Sequence, residues 1–222
     1  MAAHKYLAEL GIRSNNNLIG HHPASTLADI RETRRILKQI PHWDPFRLTR
    51  FRLMAGSPLY EGLSKEERAV PRPIRSFRLP SPAARYAIEF SFEVPDRIKP
   101  GPNVVRTWNA FACEYERARA RHETQQPRLE VARVAPDALR ITDTRDGKVL
   151  CYDFSGAAAR IYDACHCGSK LDEIAQATGL SPQIVKAKLG RFLRLKLVLR
   201  VDDYYLSLAM RPRDELLCRF FR

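Results

Sequence analysis

The stretch SPQIVKAKLGRFLRLKLVLRVDDYYLSL, Ser181 to Leu208, decides the fold of the carboxyl-terminal part of this chain. Ser181-Pro182 is a helix-start pair, because proline suits the first turn, where its missing N–H costs nothing. Ile184, Val185, Leu189, Phe192 and Leu193 then recur at helical spacing and share one face. Leu197-Val198-Leu199 and Tyr204-Tyr205-Leu206 follow, joined across Asp202-Asp203, as the arms of a hairpin. Upstream, Leu171, Ile174 and Ala175 predict a shorter helix stopped by Gly179, and Ser155 caps an earlier helix running to about Cys165. Helix, helix, helix and hairpin is the plan of a winged helix. The expected core of this unit, from Ser155 to Met210, holds Leu171, Ile174, Leu189, Phe192 and Leu206.

Outward from there the rhythm changes. Leu129 with Val131, Leu139 with Ile141, and Val149 with Cys151 read as short strands, the last two separated by a turn at Asp146-Gly147. From Asn103, the residues Val104, Trp108, Phe111 and Tyr115 recur at helical spacing. Ile88, Phe90, Phe92 and Val94 alternate with polar residues as a strand, and the proline-rich, arginine-rich stretch from Pro58 to Pro82 reads as a covering loop. Near the start, Leu7 to Leu10 end a helix at Gly11. Asn17-Leu18-Ile19 is an extended run, Thr26 caps a helix carrying Leu27, Ile30, Leu37 and Ile40 as far as Pro41, and Phe51 and Leu53 alternate in a second strand. Strand, helix, strand is one β-α-β step, which gathers ligands at the carboxyl ends of its strands.

The class is therefore mixed α/β (α+β). An incomplete β/α barrel segment is expected over residues 1–96, a connecting helix and strands over 97–147, and a winged-helix-like domain over 148–222.

Composition bounds the function. The chain has 222 residues with 38 basic and 25 acidic side chains, a formal charge of +13 that favours an anionic partner such as nucleic acid or an acidic peptide. No apolar run has the length of a membrane helix and the first ten residues do not have the pattern of a signal peptide, so no membrane association and a cytoplasmic location are expected. Cys113, Cys151, Cys165, Cys167 and Cys218 are odd in number and scattered, so free thiols are expected.

Lys186, Lys188, Arg191 and Arg194 make the third helix basic, with no acidic residue between Ser181 and Arg200, and mark it as a binding face for a peptide or a nucleic acid. Arg191 and Arg194 suit guanine, but the asparagine or glutamine that reads adenine is missing. Cys165-His166-Cys167 offers soft ligands, yet further ligands at a fixed spacing are lacking, and buried small residues explain it better. No catalytic residue and no metal site are assigned. GxSxG, P-loop and Rossmann fingerprints are absent.

Asn17-Leu18-Ile19-Gly20-His21-His22-Pro23-Ala24-Ser25-Thr26 resembles the late-barrel segment of radical S-adenosylmethionine enzymes, where an Asn-Leu-Leu run precedes Gly-Phe-Pro-Gly-Glu-Thr. Phe51-Arg52-Leu53 with Ser57-Pro58, Tyr86 to Asp96, Asp143-Thr144-Arg145 and Tyr204 to Ala209 are similar to successive landmarks of the cobalamin-dependent members that mature ribosomally made peptides, often as C-methyltransferases. The resemblance implies S-adenosylmethionine, a 4Fe-4S cluster and cobalamin for the full-length family. It assigns Gly20, His21, His22 and Pro23 to cofactor contact, and a precursor peptide as partner. The family's CxxxCxxC motif is absent, so this chain alone is expected to bind no cluster, and a separate chain carrying the cobalamin and cluster domains is the expected partner. His21 stands where the family has glycine, in a backbone position histidine resists. The alternative is a stand-alone winged-helix protein that binds DNA or a precursor peptide.

Overall fold

The computed structural model describes residues 1–12, 14–69, 91–92 and 94–215. Its elements are mixed α/β, and among the described residues the strands form four small sheets with no closed barrel. No helix among them is long and apolar enough to cross a membrane. Two compact units are present: Met1–Asn16, Glu32–Phe46 and Glu114–Arg222 make the first, and Asn17–Arg31 with Arg47–Cys113 the second.

In the second unit β1 (Asn17–Gly20) pairs in parallel with β2 (Arg47–Arg50), with Asn17 opposite Arg47 and Gly20 opposite Arg50. The helix between them in sequence is α2 (Leu27–Leu37), started by a capping box in which Thr26 and Asp29 exchange hydrogen bonds. The second strand expected at Phe51 and Leu53 is thus displaced: the parallel strand ends at Arg50, and β3 (Leu53–Met54) pairs antiparallel with β4 (Ser91–Phe92) instead. The Phe51 N–H donates to the Gly20 carbonyl, so the chain leaves the parallel ladder there and Leu53 is free to be buried on its own. The expected covering loop begins with two short helices, α3 (Pro58–Glu61) and α4 (Lys65–Ala69), where Ser57 and Ser64 serve as caps. The rest of that loop, and Ile88 and Phe90 of the expected strand, lie outside the described residues.

The first unit begins with α1 (Ala2–Glu9) and takes in the end of α5 (Pro102–Gln125). Strands β5 (Leu129–Ala135), β6 (Ala138–Asp143) and β7 (Leu150–Ser155) form an antiparallel sheet in that order. Leu129, Val131, Leu139, Ile141 and Phe154 point into the core by strand alternation. Helix α6 (Ala157–Ala164) starts one residue later than Ser155 predicts, because β7 runs through Ser155 and Gly156 turns the corner at φ +55. Next come β8 (Ser169–Lys170), α7 (Leu171–Thr178), α8 (Pro182–Arg194), β9 (Val198–Val201) and β10 (Tyr204–Ser207). The short strands form a second antiparallel sheet in the order β8-β10-β9. Gly179 ends α7 in the left-handed conformation, as its position predicts.

The core of this unit is continuous across both sheets and the helices. Phe192 on α8 meets Phe154 and Tyr162 edge-on, with ring centroids 5.1 and 5.5 Å away. Ile174, Leu189 and Leu206 are buried with it, and Leu171 packs half-buried on its margin. The Tyr162 hydroxyl donates to the Leu197 carbonyl and accepts from the Ala209 N–H, so this buried tyrosine is satisfied at both ends.

Helix α1 is held differently. Its buried residues are His4, Lys5 and Glu9, all polar. Lys5 Nζ donates to His166 Nδ1 at 2.8 Å and lies 3.4 Å from Glu9 Oε1, and Arg211 Nε donates to the same His166 nitrogen. With cationic donors on Nδ1, the proton sits on Nε2, which faces Glu9 Oε2 at 3.3 Å. Arg211 continues the network to Asp163 and Glu215, and Arg133 of β5 joins it at Asp163. Burial brings the Lys5 ammonium down to about 8, against the opposing pull of Glu9.

His42, before the buried Trp43, donates with Trp43 to the Leu208 carbonyl. Burial pushes the His42 imidazole down from 6.5 to about 3. Between those values the unfolded chain takes up a proton that the fold refuses, so stability falls as pH drops from 6.5 towards 3. Denaturation midpoints measured down to about pH 4, above the range where ordinary carboxylates dominate, check this. His42→Asn keeps a donor but does not titrate, and flattens that limb of the curve.

Candidate functional site

The resemblance-derived residues sit at the carboxyl end of β1. His21 has φ 61, the left-handed conformation that a glycine adopts freely and that costs a side chain about 1–2 kcal/mol. The backbone here therefore takes the glycine-like path although the residue is histidine. His21 Nε2 is 2.9 Å from Asn109 Oδ1 on α5, and a hydrogen bond to that helix offsets part of the strain. His22 turns the other way: its Nδ1 accepts from the Ala24 N–H and its ring meets Phe51 edge-on. Pro23 follows in a turn closed by the Ser25 N–H on the His22 carbonyl.

A cavity of about 160 Å³ opens beside Gly20 and His21, walled by Leu48, Thr49, Arg50 and Trp108. Trp108 Cε3 lies 3.4 Å from where a Gly20 Cβ would be, ordinary van der Waals contact, so the indole packs directly over Gly20. Pockets for drug-sized ligands run to about 300–1,000 Å³. This cavity by itself is below that range. The donor set does not suit an iron–sulfur cluster. The sequence has no CxxxCxxC, burial pushes the Cys165 thiol up to about 12, and Cys167 Sγ is 2.8 Å from the Tyr6 hydroxyl. Among the described residues no group of three or more His, Cys, Asp or Glu side chains is placed to hold a metal ion.

The other assembly of exposed polar groups lies in the first unit, around β7. One edge of the β5-β6-β7 sheet is closed, because the Met210 N–H donates to the Leu129 carbonyl and the Val131 N–H to the Met210 carbonyl. The other edge is β7. It pairs with β6 from Leu150 opposite Asp143 to Ser155 opposite Ala138, and among the described residues its outer side has no strand partner. An unpaired row of backbone donors and acceptors is a template for a further strand.

Alternation sets the chemistry along this edge. Phe154 faces the core, so Tyr152 and Leu150 share its side of the sheet, and Tyr152 stacks parallel to Phe154 with centroids 6.5 Å apart. Leu150 is 47% exposed and Val149, just before it, 72%. On the opposite face Asp153 pairs with Arg140 in solvent.

Helix α8 flanks the same strand. Its buried stripe is Val185, Leu189 and Phe192, with Phe192 against Phe154. The Arg191 guanidinium carbon lies 5.6 Å from the centre of the Phe154 ring, over the strand's aromatic residue. Ile184, Lys188 and Arg191 are spaced by four and three residues, which aligns them on one flank of the helix. Lys186 falls on the opposite flank and Arg194 on the outermost side. The four basic residues singled out from sequence thus separate into Lys188 and Arg191 on the flank that carries the Phe154 contact, and two that face elsewhere.

No family model, curated protein or solved structure matches this chain.

Sequence reading found the basic helix and a strand at Val149 and Cys151, but not that β7 lies at an edge of its sheet with Arg191 over Phe154. The signal that was present is the apolar Val149-Leu150 pair in front of Tyr152 and Phe154, an apolar strip longer than a two-stranded hairpin needs.

Proposed function

We propose that this chain is the peptide-handling part of a peptide-maturing radical enzyme. It is read as a C-terminal portion or split subunit of a cobalamin-dependent radical S-adenosylmethionine C-methyltransferase, inactive alone and dependent on another chain for the cluster and cobalamin. Its α6–β10 module is read as a winged helix, a reading supported by the order helix, strand, two helices and hairpin with the sheet order β8-β10-β9. The parallel β1-β2 pair around α2 is compatible with a barrel segment. The observation that carries the peptide reading is the edge of β7, unpaired among the described residues, beside the basic flank of α8. An extended peptide added to that edge gains main-chain hydrogen bonds whatever its sequence, and alternate side chains meet the helix.

DNA is the poorer fit for the same module. The turn of the β9-β10 hairpin is Asp202-Asp203, and carboxylates there oppose a phosphate backbone.

Selection of a random twelve-residue peptide library on the full chain, followed by amide hydrogen exchange of the complex, tests this reading. The expected result is enriched peptides that slow exchange at outward-facing amides between Leu150 and Ser155, and that lose binding when alternate peptide nitrogens are methylated. A library yielding no binder, or binders that leave β7 exchange unchanged, overturns it. So does a duplex bound about a thousandfold more tightly than random DNA, the ratio of a sequence-specific reader.

A further inference from the structure

Resting on β7 as the docking edge, we infer that Arg191, with Lys188 beside it, selects a carboxylate side chain, so that the partner is an acidic extended segment of another chain. Arg191 is exposed yet not loose, because its guanidinium lies over the Phe154 ring at 5.6 Å. Stacking on an aromatic face fixes the plane of the fork while leaving its N–H donors directed outward. Helix α8 contains no acidic residue, and among the described residues neither Arg191 nor Lys188 has a carboxylate partner. Elsewhere in the unit Arg133 pairs with Asp163, Arg140 with Asp153 and Arg145 with Asp143. A guanidinium stacked on a ring of the edge strand β7 and, among the described residues, without an anion is the recognition half of a bidentate carboxylate contact.

The strand geometry adds a second rule. In a strand laid along β7, side chains two residues apart face the helix side of the sheet. One of them lies against Arg191, and a neighbour two residues away meets the half-buried Tyr152 and the exposed Leu150. The preferred segment therefore has an Asp or Glu two residues from an aliphatic side chain. Self-pairing of two copies through β7 is disfavoured by the same charges, since it would set two basic helices beside one sheet.

Three labelled ten-residue peptides on the full chain test this: Ser-Leu-Thr-Glu-Ser-Leu-Thr-Glu-Ser-Leu and its versions with Gln or Lys in place of Glu. Fluorescence anisotropy at physiological salt is expected to show the Glu peptide bound about tenfold more tightly than the Gln peptide, the size of one charge-assisted contact, and the Lys peptide more weakly still. Arg191→Ala is expected to erase the difference between Glu and Gln while leaving the Gln peptide's affinity unchanged. Arg191→Lys is expected to restore part of it, and Arg117→Ala, on the exposed side of α5, to change nothing. Equal binding of the Glu and Gln peptides, or an equal loss for all three on Arg191→Ala, overturns carboxylate selection. If exchange at β7 is still slowed in that case, the docking edge itself stands. Dimerisation of the free chain that protects β7, or displacement of the Glu peptide by random-sequence duplex at equal charge concentration, also overturns the inference.

Discussion

Replacing Phe192 by Ala is expected to destabilise the chain by about 3–5 kcal/mol, the range for removing a buried aromatic ring from a core that cannot collapse around the gap. Phe192 is 1% exposed and lies between Phe154 of the sheet and Tyr162 of α6, so the cavity would open where helices and sheet meet. Urea denaturation with an unchanged slope measures the cost. A loss below about 1 kcal/mol, the scale of a surface substitution, contradicts the packing described. The change also removes the support of the ring on which Arg191 rests. It should weaken peptide docking more than stability alone explains, under conditions where the variant is still folded.

Glu9→Ala is expected to cost a similar amount for an electrostatic reason. It leaves the fully buried Lys5 ammonium and Arg211 facing each other without the intervening carboxylate, and breaking one side of a buried ion pair costs about 3–5 kcal/mol. The double substitution Lys5→Met with Glu9→Gln is expected to recover at least half of that loss, because it removes the uncompensated charge and keeps an acceptor for the Arg211 N–H. The ammonium also gives a pH signature. It ionises at about 8 in the fold and near 10.5 when unfolded, so the unfolded state holds more protons in that window and stability rises with pH across it. Lys5→Met abolishes that rise. A double variant as unstable as Glu9→Ala alone, or a flat wild-type profile between pH 8 and 10.5, contradicts the account of α1.

These effects also show what the sequence could and could not disclose. Helix α8 was legible because a Ser-Pro start precedes apolar residues at helical spacing, and the β9-β10 hairpin because two apolar triplets flank Asp202-Asp203. The burial of Ile174, Leu189, Phe192 and Leu206 follows from the same pattern. Strand β8 was not legible: Ser169-Lys170 is too short to carry a period and exists because Tyr204 and Tyr205 pair with it. The membership of α1 in the carboxyl-terminal unit was hidden for a different reason. Its buried side chains are His4, Lys5 and Glu9, which any hydrophobic pattern assigns to solvent; the distant His166 and Arg211 reverse that assignment for Lys5 and Glu9, and Trp43 and Phe46 for His4. Strand β2 was misplaced because Arg47-Leu48-Thr49-Arg50 is nowhere fully buried and takes its register from β1. At the candidate site, the basic residues of α8 stood out in sequence, while their division into two flanks needed the Arg191–Phe154 contact. The left-handed His21 was hidden because histidine is a poor marker for that conformation, and only the resemblance pointed to it.

The central claim is that an acidic peptide completes the β5-β6-β7 sheet at its open edge. Cross-strand nuclear Overhauser contacts between the isotope-labelled full chain and the bound Glu-containing peptide test it most directly. The account predicts amide and α-proton contacts from the peptide backbone to alternate residues between Leu150 and Ser155, together with a side-chain contact to Arg191. Contacts confined to the side chains of α8, with none to the β7 backbone, would contradict it.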